Sequence, residues 1–151
     1  MGCDIIVGLR GCYGSPRPSQ SKLAFSGSWH FAPVISGASP GFRMLVSHEG
    51  TFELSDCIGA IEQLRDDIQG FEDNGVSDFD PISVDIENKW KEKWRKRSRS
   101  QFLCLPLRDP ENSVSDTLTL SEVKTIIRSI VEAVDWAITR FGKDNVVLEI
   151  N

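Results

Sequence analysis

The clearest periodic pattern in the chain lies between Ser121 and Gly142. Its apolar residues recur at steps of one, three and four, which places them on one stripe of an α-helix. They are Val123, Ile126, Ile127, Ile130, Val131, Val134, Ile138 and Phe141. Gly142 ends the pattern, because glycine readily adopts the positive φ angles found just after a helix. The stripe predicts a helix roughly 30 Å long that packs against a sheet.

A second amphipathic helix is predicted from about Ser55 to Phe71. Its apolar face is formed by Ile58, Ile61, Leu64, Ile68 and Phe71, and polar or charged residues occupy the other positions. Ser55 is the predicted N-cap, since its hydroxyl can accept from a free N–H of the first turn. The dipeptide Asn74-Gly75 predicts the stop.

Short apolar or alternating runs predict the strands of a sheet. They are residues 3–9, 23–32, 42–48, 82–87, 102–107 and 146–150. The first is predicted to be a central strand, and the last is predicted to tie the C-terminus into the sheet. Residues 11–21 and 33–41 are rich in Gly, Ser and Pro and are predicted to be loops.

These elements predict a single α+β domain over residues 1–151, with a mainly antiparallel sheet and two principal helices on one face. A length of 151 residues suits one domain, and 40% hydrophobic with 26% charged residues is an ordinary globular composition. No apolar run approaches the roughly 20 residues of a membrane span. Asp4 interrupts any signal peptide. We therefore expect a cytoplasmic protein whose four cysteines are reduced thiols.

Charge is distributed unevenly along the chain. Residues 89–99 contain seven basic residues and one acidic residue, a local charge of +6. The rest of the chain then carries 10 basic and 21 acidic residues, a charge of −11 within the overall −5. This distribution favours a basic partner and disfavours contact with nucleic acid over most of the surface.

Residues that could carry catalysis or bind a metal are few. The two histidines, His30 and His48, show no ligand spacing with the cysteines, so no metal or cofactor is predicted. Cys57 and His48 could form a nucleophile and a base, which leaves a small Cys/His hydrolase as an alternative. However, Cys57 opens an amphipathic helix at a position where a small buried residue is expected. We predict no catalytic residues and no enzyme activity.

The basic segment 89–99 has a second interpretation. Trp90 and Trp94 are four residues apart, so a helix would place them on one face among basic side chains. Basic residues with interleaved aromatics are typical of surfaces that bind nucleic acid or anionic membranes. The segment is short and the remaining chain is acidic, so we predict no membrane partner and disfavour nucleic acid. A nucleic-acid-associated regulator acting through residues 89–99 stays open as an alternative.

In order and approximate spacing, residues 42–151 resemble the immunity protein 70 family, whose members are encoded beside bacterial polymorphic toxins. The similar parts are a strand ending in His48-Glu49-Gly50, a helix around residues 60–65, a strand Val84-Asp85-Ile86-Glu87 followed by a tryptophan, a long C-terminal helix and a closing Leu148-Glu149-Ile150. The lysine-rich run of residues 89–99 departs from the family's pattern.

The resemblance implies a cytoplasmic inhibitor that binds one cognate toxin domain tightly and catalyses no reaction. Secreted nuclease toxins are usually basic, and an acidic inhibitor gains long-range steering toward them. The expected contact residues are the carboxylates at and after the end of the second helix, together with two tryptophans as hot spots. They are Asp66, Asp67, Glu72, Asp73, Asp78, Asp80, Trp90 and Trp94.

Overall fold

A computed structural model describes residues 2–28, 31–76 and 120–151 of the chain. Four strands and four helices follow one another in these ranges. They are β1 (Gly2–Arg10), β2 (Pro16–Ser28), α1 (Ala32–Ala38), α2 (Pro40–Val46), β3 (Gly50–Glu53), α3 (Leu54–Asp73), α4 (Leu120–Phe141) and β4 (Val146–Ile150), with a short 3-10 turn at Lys143–Asn145 before β4. The predicted strands at residues 82–87 and 102–107 lie outside the described residues.

The four strands form one sheet in the order β2-β1-β4-β3, and each neighbouring pair is antiparallel. β1 is therefore internal to the sheet, as predicted for residues 3–9. β4 lies between β1 and β3, and Ile150 pairs with Ile5 on one side and with Gly50 on the other. Backbone hydrogen bonds between Asp4 and Asn151, at 3.0 and 3.1 Å, extend this pairing to the last residue. The prediction that the C-terminus is tied into the sheet is confirmed.

The hydrophobic core lies between one face of the sheet and the helices. Alternate strand residues, such as Ile5 and Val7 of β1 and Leu148 of β4, have no exposed surface. They form one cluster with buried side chains from all four helices. The period of two along a strand explains this arrangement, because it sends every second side chain to the same face. The predicted α+β class, with the two long helices α3 and α4 on one face of an antiparallel sheet, is confirmed.

Residues 33–48 differ from the prediction. The predicted loop at 33–41 and the predicted strand at 42–48 are both wrong, because this stretch forms the seven-residue helices α1 and α2. Pro33 is the second residue of α1 and Pro40 is the first residue of α2. Both lie in the first helical turn, where a missing N–H leaves no internal hydrogen bond unmade. Ser39 is the N-cap of α2, and its side chain accepts from the Phe42 N–H at 3.2 Å. The prolines start helices here and do not mark a loop.

The predicted loop at residues 11–21 is also wrong beyond Ser15. β2 begins at Pro16, and Pro16 pairs with Arg10 across the hairpin. A proline is tolerated because β2 is the outermost strand of the described sheet. The backbone groups on its outer edge make no hydrogen bonds to another strand of that sheet, so a missing N–H there costs nothing. The connection between β1 and β2 is therefore a tight loop of five residues, Gly11–Ser15. The other end of β2 is at Ser28, short of the predicted residue 32.

Both long helices end at their C-termini where the sequence predicts. α4 ends before Gly142 (φ 86°), and α3 ends before Asn74 with Gly75 at φ 77°, so both predicted stops are confirmed. Ser55 is not the N-cap of α3, because the helix begins one residue earlier. Glu53 holds that position without a side-chain capping bond.

Candidate partner-binding surface

Four of the eight residues predicted to bind a partner lie in the C-terminal half of α3. They are Asp66, Asp67, Glu72 and Asp73. Asp78, Asp80, Trp90 and Trp94 lie outside the described residues. The four described carboxylates share one helix but have different environments, and these decide which of them a partner could reach.

The Asp67 carboxylate is used inside the protein. Its Oδ2 accepts from the Ser39 hydroxyl at 2.6 Å and from the Gly41 N–H at 2.8 Å, while its Oδ1 accepts from the Gln63 amide at 2.9 Å. Ser39 is fully buried. These bonds fix the N-terminus of α2 against α3, since Asp67 satisfies a donor that the first helical turn leaves free. Asp67 therefore acts as an internal anchor and has little capacity left for a partner.

The Glu72 carboxylate connects α3 to α4. Its Oε1 lies 2.7 Å from the Arg128 guanidinium and 3.5 Å from the Lys124 ammonium. Lys124 is almost fully buried and also donates to the Val76 carbonyl at 3.0 Å. Because a buried cation is costly without a counter-charge, Glu72 serves first to neutralise this pair.

The exposed face of α3 carries the carboxylates that remain available. Six of its exposed positions recur at steps of three and four, and together they define the α3 stripe: Ser55, Gly59, Glu62, Asp66, Gln69 and Asp73. Asp56, Arg65 and Glu72 are also exposed and lie beside the stripe. Asp73 accepts from Gln69 at 2.9 Å, whereas no hydrogen bond or ion pair within the described ranges involves the Asp66 carboxylate. The stripe itself is therefore acidic, and the exposed Arg65 lies beside it.

Arg65 is the single basic residue of α3, and its ion pair is with a residue of α4 and not with the stripe. Its guanidinium makes a two-pronged ion pair with Asp135 of α4, with N–O distances of 2.5 and 3.1 Å. The hydrogen bond to Asp135 raises the pKa of Arg65. A bidentate pair fixes the direction of the side chain. Arg65 therefore points to α4, and the charge of the nearby Glu62 carboxylate also raises the pKa of Arg65, whereas Asp66 makes no ion pair with it.

An exposed apolar side chain borders the stripe. Met44 of α2 is 42% exposed, and its Cε would lie 4.0 Å from a Cβ placed on Gly59. The methionine therefore lies beside the exposed face of α3 at Gly59. Flexible, polarizable methionines are common at protein-binding surfaces. Met44 is absent from the predicted contact residues, because residues 42–48 are predicted to form a strand.

The geometry gives no support to a Cys57–His48 hydrolase. Cys57 is 1% exposed, and burial together with the charge of Asp56 raises its pKa to about 11. The reactive thiolate is therefore scarce at neutral pH. His48 donates from Nδ1 to the Met44 carbonyl at 3.0 Å, and its ring packs edge-on against Phe52. Across residues 2–28, 31–76 and 120–151, no group of three His, Cys, Asp or Glu side chains is arranged to hold a metal.

The rate of alkylation should differ between the exposed and the buried thiols. We expect Cys12, which is exposed, to react with iodoacetamide at pH 7.5, while Cys3 and Cys57 stay unmodified until the protein unfolds. Both buried thiols have a pKa of about 11, so their thiolates are scarce at that pH. Peptide mass spectrometry measures the labelling of each cysteine. Rapid modification of Cys57 in the folded protein would contradict this assignment and revive the hydrolase.

Comparison of this chain with known proteins found no match. No protein-family model matches the chain, and no curated protein or solved structure matches it either. None of the described helices combines the length and apolarity of a membrane-crossing segment. The candidate surface is therefore defined by the exposed carboxylates of the α3 stripe and by Met44.

Proposed function

We propose that this protein is a cytoplasmic, non-catalytic inhibitor that neutralises a cognate bacterial toxin domain by tight binding. The observation that carries the proposal is the α3 stripe, in which Glu62, Asp66 and Asp73 are exposed on one helix face, beside an arginine, Arg65, that is ion-paired with Asp135. Such a surface suits a basic partner, because complementary charge accelerates encounter and suppresses wrong partners.

The neighbouring apolar side chain makes this surface more than a solubilising face. Binding energy in protein interfaces concentrates in a few desolvated side chains, and charges at the rim mainly affect the association rate. Met44 lies against α3 at Gly59 and can supply the desolvated contact. The carboxylates of the stripe then form the acidic border. An inhibitor requires this division of roles, since it must bind quickly and dissociate slowly.

The direct test is co-purification with the toxin domain encoded immediately upstream of this chain's gene. A basic domain, such as a nuclease, should form a complex that survives gel filtration at micromolar concentration and should lose its toxic activity in that complex. A toxin domain that elutes separately at this concentration, with its activity intact, would contradict the proposal.

Charge reversal on the stripe should weaken the complex. We expect Asp66→Lys to raise the dissociation constant at least tenfold, mainly through slower association, and to reduce its dependence on salt. Glu49→Lys is the matched control, because it changes the net charge equally at an exposed residue outside α3. Surface plasmon resonance at two salt concentrations measures both. Equal effects of the two variants would assign the attraction to net charge and remove the stripe from the interface.

A further inference from the structure

The loop between β1 and β2 presents a fully exposed aromatic side chain. Tyr13, the chain's single tyrosine, is 100% exposed. The loop around it is closed by backbone hydrogen bonds, from the Gly11 N–H to the Ser15 carbonyl at 2.8 Å and from the Gly14 N–H to the Gly11 carbonyl at 3.1 Å. Gly14 holds φ at 87°, which a larger residue would adopt only with strain. We call residues 11–15 the hairpin tip.

A single exposed aromatic is common on protein surfaces, so exposure alone does not define a site. The hairpin tip differs because its backbone is held in place before binding. Tyrosine contributes a large contact area with only two rotatable side-chain bonds, so little entropy is lost when it enters a pocket. Aromatic side chains of this kind are enriched among the residues that dominate interfaces.

The hairpin residues themselves carry a charge opposite to that of the α3 stripe. Residues 5–48 contain no Asp or Glu, and the basic residues of the hairpin are Arg10, Arg17 and Lys22. Arg17 is exposed and donates from Nε to the Arg10 carbonyl at 3.3 Å, which holds it beside the tip. A pocket that receives Tyr13 should therefore be apolar, with carboxylate or carbonyl oxygens at its rim. The acidic residues that attract a basic partner lie elsewhere, on α3.

The hairpin tip and the start of α3 lie at the same end of the sheet. Arg10, at the base of the tip, pairs with Glu53 at 2.9 Å, and α3 begins at the next residue. Both residues also line a surface pocket of about 200 Å³ together with Lys143 and Asp144. The ion pair thus joins the base of the hairpin to the first turn of the helix that carries the stripe.

The chain and helix lengths between these positions allow one partner to contact both. Tyr13 follows Arg10 by three residues, which is at most about 10 Å of chain, and Glu62 lies roughly 14 Å along α3 from Glu53. A standard interface covers about 800 Å² on each partner, a patch roughly 32 Å across. Such a patch can include Tyr13 and Glu62. Asp73, about 30 Å along α3 from Glu53, falls at or beyond its border.

We propose that the hairpin tip is a second contact with the toxin domain and that Tyr13 is its anchor. This inference rests on the proposed function, because the same partner binds the α3 stripe. Tyr13 enters an apolar pocket of the toxin, and Arg17 meets acceptor oxygens at the rim of that pocket. The toxin therefore combines a basic patch opposite Glu62 with a less basic pocket opposite the tip.

The experiment titrates the upstream-encoded toxin domain into the wild-type protein and its variants by calorimetry. We expect Tyr13→Ala to raise the dissociation constant at least tenfold, while Tyr13→Phe, which keeps the aromatic ring, stays within threefold of wild type. Gln20→Ala, an exposed change on the same hairpin away from the tip, should have no effect. Because Glu62 lies nearer the tip than Asp73, Glu62→Lys should weaken binding more than Asp73→Lys.

The outcomes separate this inference from the proposed function. A toxin domain that binds wild type and Tyr13→Ala with the same affinity overturns the anchor and leaves the inhibitor role intact. A toxin domain that does not bind wild type at all overturns both. Unchanged melting temperatures of the variants would show that any loss of affinity comes from the missing contact and not from misfolding.

Discussion

Gly41→Ala should destabilise the protein by about 2 kcal/mol, although glycine to alanine usually strengthens a helix by up to about 1 kcal/mol. A Cβ at Gly41 would lie 2.5 Å from the Leu64 nitrogen and 2.9 Å from the Leu64 Cα. These are backbone atoms of α3, so they cannot rotate away as the end of a side chain can. The helices α2 and α3 must separate, which disturbs the neighbouring Phe42 and Leu45, both fully buried.

Chemical denaturation of Gly41→Ala beside Gly70→Ala tests this explanation. Gly70 lies in α3, and a Cβ there would meet no atom within 4 Å. We therefore expect Gly70→Ala to be stabilising by roughly 0.5–1 kcal/mol, through helix propensity alone. The two variants make the same chemical change and should have opposite signs. A stabilised Gly41→Ala would show that α2 does not pack directly on the α3 backbone.

Periodicity along the sequence was sufficient to predict the two long helices and the closing strand. The stripe of α4 is long enough to exclude a strand, and Val123, Ile127, Ile130 and Val134 are indeed fully buried. β4 was predictable because it is a short apolar run just after a strong helix stop at Gly142. In both cases the hydrophobic pattern and the local stop signals favour the same structure, which makes such predictions dependable.

The stretch from residue 33 to residue 48 could not be assigned in this way. A helix of seven residues makes barely two turns, which is too short for its apolar residues to reveal a helical period. A run such as Phe42–Val46 is therefore equally consistent with a strand. Ser39 followed by Pro40 did contain a usable signal, an N-cap before a proline at the first helical position. It was outweighed by the general association of Gly, Ser and Pro with loops. Tertiary packing on α3 decides the outcome, and a single sequence does not show that packing.

The candidate surface was predictable only as a region of charge. Asp66 and Asp67 are adjacent and have the same side chain, so composition and spacing assign both the same role. In the structure, the helical rotation of about 100° between neighbours places Asp66 on the exposed stripe and turns Asp67 toward α2. The difference depends on Ser39 and Gly41, which are more than 20 residues away in the sequence.

Asp67→Ala should therefore lower the free energy of unfolding by about 3 kcal/mol, whereas Asp66→Ala should change it by less than about 0.5 kcal/mol. The first change leaves the buried Ser39 hydroxyl and the Gly41 N–H without their acceptor. Asp67→Asn should have an intermediate effect, because one of its two terminal atoms is a donor and cannot accept. Urea denaturation followed by circular dichroism measures all three variants.

Toxin binding should depend on Asp66 more than on Asp67, which is the reverse of their expected effects on stability. Asp66→Ala removes an exposed charge, so we expect slower association with the toxin domain while the melting temperature stays constant. Asp67→Ala, assayed at a temperature where it is still folded, should bind with nearly wild-type affinity because its carboxylate faces α2 and not the partner. Equal loss of stability in the two variants would show that helix α3 is rotated relative to the arrangement described above, and the assignment of its exposed stripe would then be wrong.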